Sequence, residues 1–303
     1  MAGPSDRLTL MSTFVRITER GSISAAAVDL GITQATASRQ LAALEDRLGV
    51  QLAERTTHSL TLTENGKSVL TEAHALLSQW EGLEERLSDD RDALAGPIKL
   101  VVPIALGRSF LCDAVLEFAQ RHPEITINLV LDDRPGLAAE EGYDLLVKVG
   151  RPVDDTLIVR EVTTVERGPV ASAQLGGDQD VSFDKLEEMP FVSLGTFEGA
   201  SIPLRNKTGE VQTVKPTPVW ATNDIFALRD AIVAGRGWGI LPTWLIGTEL
   251  GNSTLIPLAR DWIGPALPVT LSLQPSRRSI RRIQALAAVL TERLTAEIEK
   301  NAN

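Results

Sequence analysis

The side chains with the clearest chemical purpose in this chain lie between residues 33 and 39. Gln34, Thr36, Ser38 and Arg39 crowd the start of one helix-forming stretch. Gln and Arg can reach adenine and guanine edges with two hydrogen bonds at once. Gln34 and Ser38 are four apart, so a helix sets them on one face. The flanking residues predict how that face is held out. Ile23–Leu30 reads as a first short helix, with Ser22 and Ser24 both suited to cap it. Gly31 is a left-handed stop, Ile32 plugs the corner, and Thr33 caps the second helix. Ala37, Leu41 and Leu44 recur at helical spacing as the buried stripe, and Leu48 extends it. Two helices joined by a Gly-containing turn, the second with a polar exposed start, is the geometry that enters a major groove. Solvated polar residues on an ordinary surface helix are the alternative that this segment alone leaves open.

The next stretch narrows the choice. Val50–Leu52 and Leu60–Leu62 are β-prone around the polar turn Arg55-Thr56-Thr57-His58-Ser59, which predicts a small two-stranded wing. An Arg at such a tip enters a minor groove, and neighbouring hydroxyls meet phosphates. Gln34, Thr36, Ser38 and Arg39 are therefore the expected groove contacts, with Thr33, Arg55 and Thr56 at phosphates or on the wing. Thr63-Glu64-Asn65-Gly66 opens a further helix.

Residues 8–66 resemble the winged helix-turn-helix of the LysR-type transcriptional regulators. The resemblance is carried by Phe14-Val15, Gly21 to Ala27, Leu30, Ser38-Arg39-Gln40-Leu41, Leu44-Glu45, Leu48-Gly49, Arg55-Thr56-Thr57 and Leu62 to Gly66. It implies a dimeric, usually tetrameric, effector-responsive regulator bound to double-stranded promoter DNA. Three positions depart from the family pattern. Ala35 stands where Pro is frequent, Ala53 where Phe is usual, and His58 where Arg is frequent. The first bears on base contacts, the second on packing beneath the wing, and the third on permanent charge near DNA.

Charge sets a constraint on that reading. Residues 1–63 hold six arginines, no lysine and six carboxylates, so the whole net charge of −10 lies in residues 64–303. The basic footprint usual for DNA binding is missing. A single head is expected to hold DNA weakly, with affinity coming from two or more heads together, and binding is expected to be salt sensitive. The length of 303 residues suggests two domains, and 43% hydrophobic residues suffice for their cores. No apolar run suits a membrane span, the start MAGPSDRLTL has no signal-peptide core, and a cytoplasmic protein is expected. The one cysteine, Cys112, excludes an internal disulfide and is expected to be a buried small apolar residue. The three histidines, His58, His74 and His122, are scattered, with no metal-ligand spacing, nucleophile elbow or phosphate loop in view. Neither catalysis nor a cofactor is expected.

The remaining elements give an α+β multidomain chain: a winged helix-turn-helix at residues 1–63, a linker helix at 64–92, and a two-lobed α/β effector-binding domain at 93–303. Val69, Ala73, Leu76, Leu77, Trp80, Leu83 and Leu87 stripe the linker helix and call for a partner helix, which the resemblance supplies as a second subunit. From Ile98 strands alternate with helices, as in a parallel sheet. The order resembles the type 2 periplasmic-binding-protein design of the same family's effector domain, through Arg121 to Ile125, Glu141 to Leu145 and Gly237 to Pro242. It implies lobe I at about 97–163 and 268–303, lobe II at about 164–267, and crossovers near Thr163-Thr164 and Ala266–Val269. Ligands of such sheets lie beyond strand carboxyl ends, where helices begin. That selects Pro103, Ile104, Ala105, Gly150, Arg151, Ser193, Thr196, Thr222 and Asn223 for a small-molecule effector. Amides at those helix starts suit a carboxylate, with Lys148, Arg151 or Arg205 as its charge partner. A solute-binding or enzymatic α/β protein with an appended helix-turn-helix is the rival reading.

Overall fold

Three helices form the head: α1 (Arg7–Arg20), α2 (Ile23–Asp29) and α3 (Gln34–Leu48). The computed structural model describes residues 6–55, 60–87, 94–133, 143–152, 154, 156–177, 181–195 and 201–300. Ser22 caps α2 through the Ala25 amide, and Thr33 caps α3 through the Thr36 amide. Gly31 has a φ of +63°, a conformation that favours glycine, and lets the chain reverse between them. Leu10, Phe14 and Ile17 of α1 meet Ala26, Ala27, Ala37, Leu41 and Leu44 in a sealed core. Leu48 does not join it. It stays 43% exposed because α3 ends there, at Gly49, beyond the reach of α1.

The wing is β1 (Ala53–Arg55) paired antiparallel with β2 (Leu60–Leu62), its first strand three residues later than the β-prone run at 50–52. Ala53 is buried. The Glu45 carboxylate of α3 accepts the Leu52 and Ala53 amides at 2.9 and 3.3 Å and so braces the wing against α3. Helix α4 (Glu64–Leu87) starts at the Thr63 cap. At Gly66 a Cβ would stand 2.0 Å from the Leu52 carbonyl oxygen, so only glycine lets α4 cross the wing this closely.

Lobe I is a five-stranded sheet in the order β4-β3-β5-β15-β6. Strands β3 (Gly96–Val102), β4 (Ile125–Leu131) and β5 (Leu145–Val149) run parallel. The late strand β15 (Leu267–Leu273) lies antiparallel between β5 and β6 (Ile158–Val165). After β3 the chain turns helical at once: α5 (Ile104–Leu106), a π-helical turn at Gly107–Leu111, then α6 (Cys112–Arg121). Cys112 is only partly buried rather than sealed in the core.

Lobe II starts where β6 ends. Strand β7 (Arg167–Ser172) pairs with β12 (Gly239–Pro242) and β13 (Leu255–Pro257). Strand β8 (Phe191–Leu194) adds β11 (Pro218–Thr222) in parallel and bridges to Trp238. The smaller sheet β10-β9-β14, from Val211–Val214, Ile202–Asn206 and Trp262–Ile263, had no periodic signal in sequence. Trp238 fills the lobe II core, with its indole donating to the Leu186 carbonyl at 2.9 Å. After helix α7 (Ala173–Gly176), helix α8 (Ile225–Val233) is capped by Asp224, not by Thr222, because the Asp224 carboxylate accepts the Ala227 amide at 2.8 Å. After helix α9 (Gly247–Gly251), helix α10 (Arg281–Lys300) closes lobe I through Ile283, Leu286, Leu290 and Leu294.

A chain of charges fastens α4 to lobe I. Glu81 accepts from Arg282 at 3.0 Å, and Arg277 lies 3.6 Å away. Arg277 lies 2.9 Å from Asp144, whose other oxygen accepts the Lys99 amide at 2.7 Å. Lys99 also reaches Glu19 of the head at 3.6 Å. Burial holds the Asp144 carboxyl above its usual range despite Arg277. His74, buried on the same face of α4, is held below its ordinary value by burial and by Arg277. A folded-state value below that of the unfolded chain means that unfolded chain takes the proton first. The stability from neutral His74 is thus present above about pH 6.5 and is lost as pH falls through it. Thermal melts above and below that pH are expected to show a steeper loss for the natural chain than for His74→Gln. Equal slopes would remove His74 as the cause.

Candidate functional site

The exposed start of α3 carries a connected row. Thr33 and Thr36 share a hydroxyl–hydroxyl bond of 2.8 Å, and an Arg39 Nη donates to the Thr36 hydroxyl at 3.3 Å. Arg39 Nε also donates to the Ala35 carbonyl at 3.4 Å. Spacings of three and four residues place these groups along one helix face. Gln34 and Arg39 are exposed, and Ser38 is half-buried beside them. Gln40 points inward instead, where its side-chain carbonyl accepts from Thr13 at 2.7 Å. The fold thus separates core residues from a polar face that retains Thr33, Gln34, Thr36, Ser38 and Arg39. Arg55 lies at the end of β1, and Thr56 lies outside the described residues.

The pairing of charges in the head leaves this face distinct. Arg16 pairs with Glu19 at 3.0 Å and Arg20 with Asp29 at 3.1 Å, both away from α3. Arg39 has no carboxylate partner among the described residues. A net-neutral head therefore still presents a cation where a groove-reading helix needs one.

The second candidate site is a cavity of about 430 Å³ between the lobes. It lies beyond the carboxyl ends of the lobe I strands. Of the residues selected from sequence, Pro103, Ala105 and Asn223 line it. The other expected residues fall elsewhere. The Ile104 amide is taken by the Asp133 carboxylate at 3.2 Å. Gly150 is spent on the sheet: its amide donates to the Pro268 carbonyl and its own carbonyl accepts from Thr270. Arg151 is exposed and does not line the cavity. Ser193 lines a separate cavity of about 300 Å³ in lobe II. The Thr222 hydroxyl accepts the Asp224 amide at 3.1 Å, and Thr196 lies outside the described residues. Of the three cations considered, Lys148 lines the cleft, whereas Arg151 and Arg205 do not.

Asp132, Asp133, Arg167, Ile225 and Trp244 line the cleft and were missed. The strand-end rule reaches Asp132 and Asp133 once it is applied to β4 as well as to β3 and β5. Arg167 and Trp244 carry no such local signal, because their position depends on how the lobes meet. Among the described residues two ring contacts cross between the lobes: Arg108 lies 5.0 Å above the Phe226 ring, and Phe110 meets Trp244 edge-on at 5.0 Å. The Trp244 indole nitrogen is buried without a hydrogen-bond partner among the described residues. Burial and the neighbouring acids Asp132 and Asp224 raise the Asp133 carboxyl above its usual range, against the lowering effect of the Ile104 amide. Burial lowers the Arg167 guanidinium from its ordinary value.

Comparison with known proteins follows this division. Residues 8–67 match the bacterial regulatory helix-turn-helix of the lysR family, and residues 91–295 match the LysR substrate binding domain. An HTH-type transcriptional repressor of Pseudomonas aeruginosa is 32% identical over 176 residues, 57% of this chain and 56% of that one. YhjC of Escherichia coli, an uncharacterized HTH-type transcriptional regulator, is 29% identical over 307 residues, covering 95% of this chain and 99% of its own. Among solved structures, full-length AphB, a virulence activator of Vibrio cholerae, superposes with a TM-score of 0.59. It is 21% identical and covers 95% of this chain and 99% of its own.

The capped row on α3 gives a direct test. Thr33→Ala removes the acceptor for the Thr36 amide and is expected to cost about 1 kcal/mol of stability in urea denaturation. Thr33→Ser, which keeps the hydroxyl, is expected to lose little. Equal losses would show that the methyl group, not the cap, matters.

Proposed function

Because this chain belongs to the LysR family of transcriptional regulators, we propose that α3 and the wing read promoter DNA and that a small molecule between the lobes controls that reading. The chain is a DNA-binding regulator with an effector-binding domain. Its relatives are named as transcriptional regulators, so the rival reading as a solute-binding or catalytic protein is not favoured. Among the described residues no helix is long and apolar enough to cross a membrane, and the cytoplasm, where promoters are, is the proposed place of action.

The observation that carries the DNA reading is the Thr33–Thr36–Arg39 row on the exposed start of α3. Gln34, Thr36, Ser38 and Arg39 are the proposed base contacts, and Thr33, Arg55 and Thr56 the proposed phosphate or wing contacts. The working division is a head at 1–63, a linker at 64–92 and an effector domain at 93–303.

Oligomers of the family provide the affinity that one neutral head lacks. The surface proposed for pairing is on α4. Leu76, Trp80, Leu83 and Leu87 follow each other at spacings of four, three and four and are 38–74% exposed. Their opposite face, with Ala73, His74 and Ser78, is buried against the same chain. A second copy of α4 is the occupant that fits an apolar helical stripe of this length. The effector is proposed to act by population shift, binding one inter-lobe arrangement better than another and so changing how paired heads are presented. A carboxylate remains the proposed effector chemistry.

Two outcomes follow. Arg39→Ala is expected to cost roughly 1–3 kcal/mol of discrimination at one base pair in footprinting on the protein's own upstream region. Equal loss on random DNA would make Arg39 a phosphate contact only. Trp80→Glu is expected to shift the sedimentation of the full chain toward monomer and to weaken operator binding with it. Unchanged sedimentation would place the subunit interface elsewhere.

A further inference from the structure

We propose that Arg167 seats the single negative charge of the effector, so that the cleft takes a monocarboxylate on a largely apolar body and refuses a dianion. This rests on the reading of the inter-lobe cavity as the effector site.

Helix starts were the expected seats for an anion, but the chain already fills them. Asp133 accepts the Ile104 amide at 3.2 Å and Asp224 accepts the Ala227 amide at 2.8 Å. An incoming carboxylate at either start would displace an internal one and face Asp132 nearby. Like charges so placed oppose its ionised form.

Arg167 offers the opposite situation. It opens β7, two residues after β6 ends, at the first crossover, and lines both the inter-lobe cavity and the smaller lobe II cavity. Its Nε donates to the Pro265 carbonyl of the second crossover at 3.0 Å. Its two Nη nitrogens have no acceptor, and its charge no carboxylate partner, among the described residues. A half-buried guanidinium without a counter-charge is costly, and a planar fork held at Nε is shaped for two parallel bonds to a carboxylate.

The sheet separates the two kinds of charge. Val165 pairs with Leu267, and Val149 with Val269, so the end of β6 lies at the same sheet edge as the ends of β3, β4 and β5. The acids follow β4, and Arg167 follows β6, four strand spacings away, which is roughly 19 Å between strand axes. Between them lie Pro103, Ala105, Leu146, Leu267 and the Trp244 ring, with Lys148 of β5 as one further cation. The cavity is thus positive at the hinge, mostly apolar in the middle apart from Lys148, and negative at its outer end. A ligand anchored on Arg167 bonds the residue that joins both crossovers, so its binding bears directly on how the lobes sit.

The test uses the full chain and isothermal titration calorimetry. The probes are hexanoate, phenylacetate and 3-phenylpropionate, each beside its own primary amide, with adipate as the dianion. At least one monocarboxylate is expected to bind about tenfold or more tightly than both its amide and adipate. Arg167→Gln is expected to erase that preference, Arg167→Lys to keep part of it, and Arg151→Gln to leave it intact. Part-retention in the Lys variant separates lost charge from lost fold. The proposal is overturned if the preference survives Arg167→Gln, if Lys148→Gln alone abolishes it, if adipate binds best, or if no probe binds. The wider reading fails differently. Monocarboxylates bound through Arg167 that never alter operator binding would leave the seat standing and remove effector control.

Discussion

Everything in this molecule depends on the docking of α4, one helix with two unlike faces. One face is fixed to lobe I by a run of alternating charges from Asp144 through Arg277 and Glu81 to Arg282. Arg282 and Asp144 have side-chain exposures of 6% and 8%, so water does little to screen them. Charges buried this far are stable only while each partner is present, which makes the contact a matter of defined geometry more than of added stability. The other face leaves Leu76, Trp80, Leu83 and Leu87 in solvent. Docking one face therefore decides where the apolar stripe points, and with it the proposed arrangement of paired heads.

The same constraint explains how a neutral head belongs to a DNA-binding protein. The head does not collect excess cations; it pairs Arg16 with Glu19 and Arg20 with Asp29 and frames one row at the start of α3. Its link to the rest runs through Glu19 and Lys99 and through the first turn of α4 on Leu52. A change at lobe I thus has a short material path to the head, through packed helices and paired charges.

Much of this was legible in sequence because it is local. The α2–turn–α3 unit is written in Ser22, Gly31 and Thr33, whose capping and φ requirements act within a few residues. The stripes of α3 and α4 are read from periodicity, and the strand-helix alternation of lobe I from composition. Local reading also fails in local ways. Leu48 continues the stripe of α3 in sequence but stays 43% exposed, outside the core. Thr222 looks like a cap, yet Asp224 is two residues nearer the helix and carries the stronger acceptor. The hairpin of β9 and β10 in lobe II has mixed polarity on a mostly exposed surface, so no alternation marks it.

The cleft divides along the same line. Pro103 and Ala105 could be placed on the cavity wall because they follow a strand that sequence identifies, and Asn223 because it precedes a helix. Arg167 was not found, because nothing around it announces that β6 ends at the same sheet edge as β3. That fact is created by β15, which returns from more than a hundred residues away to lie between β5 and β6. The sequence by itself determined the helix-turn-helix of the head, its caps at Ser22 and Thr33 and the polar start of α3, since these rest on contacts between near neighbours in the chain. Only the tertiary structure decided which face of α4 is buried, that the helix starts in the cleft are filled by the chain's own carboxylates, and that Arg167 stands without one among the described residues. Those depend on which distant segments share a surface, and burial and charge pairing exist only once they do.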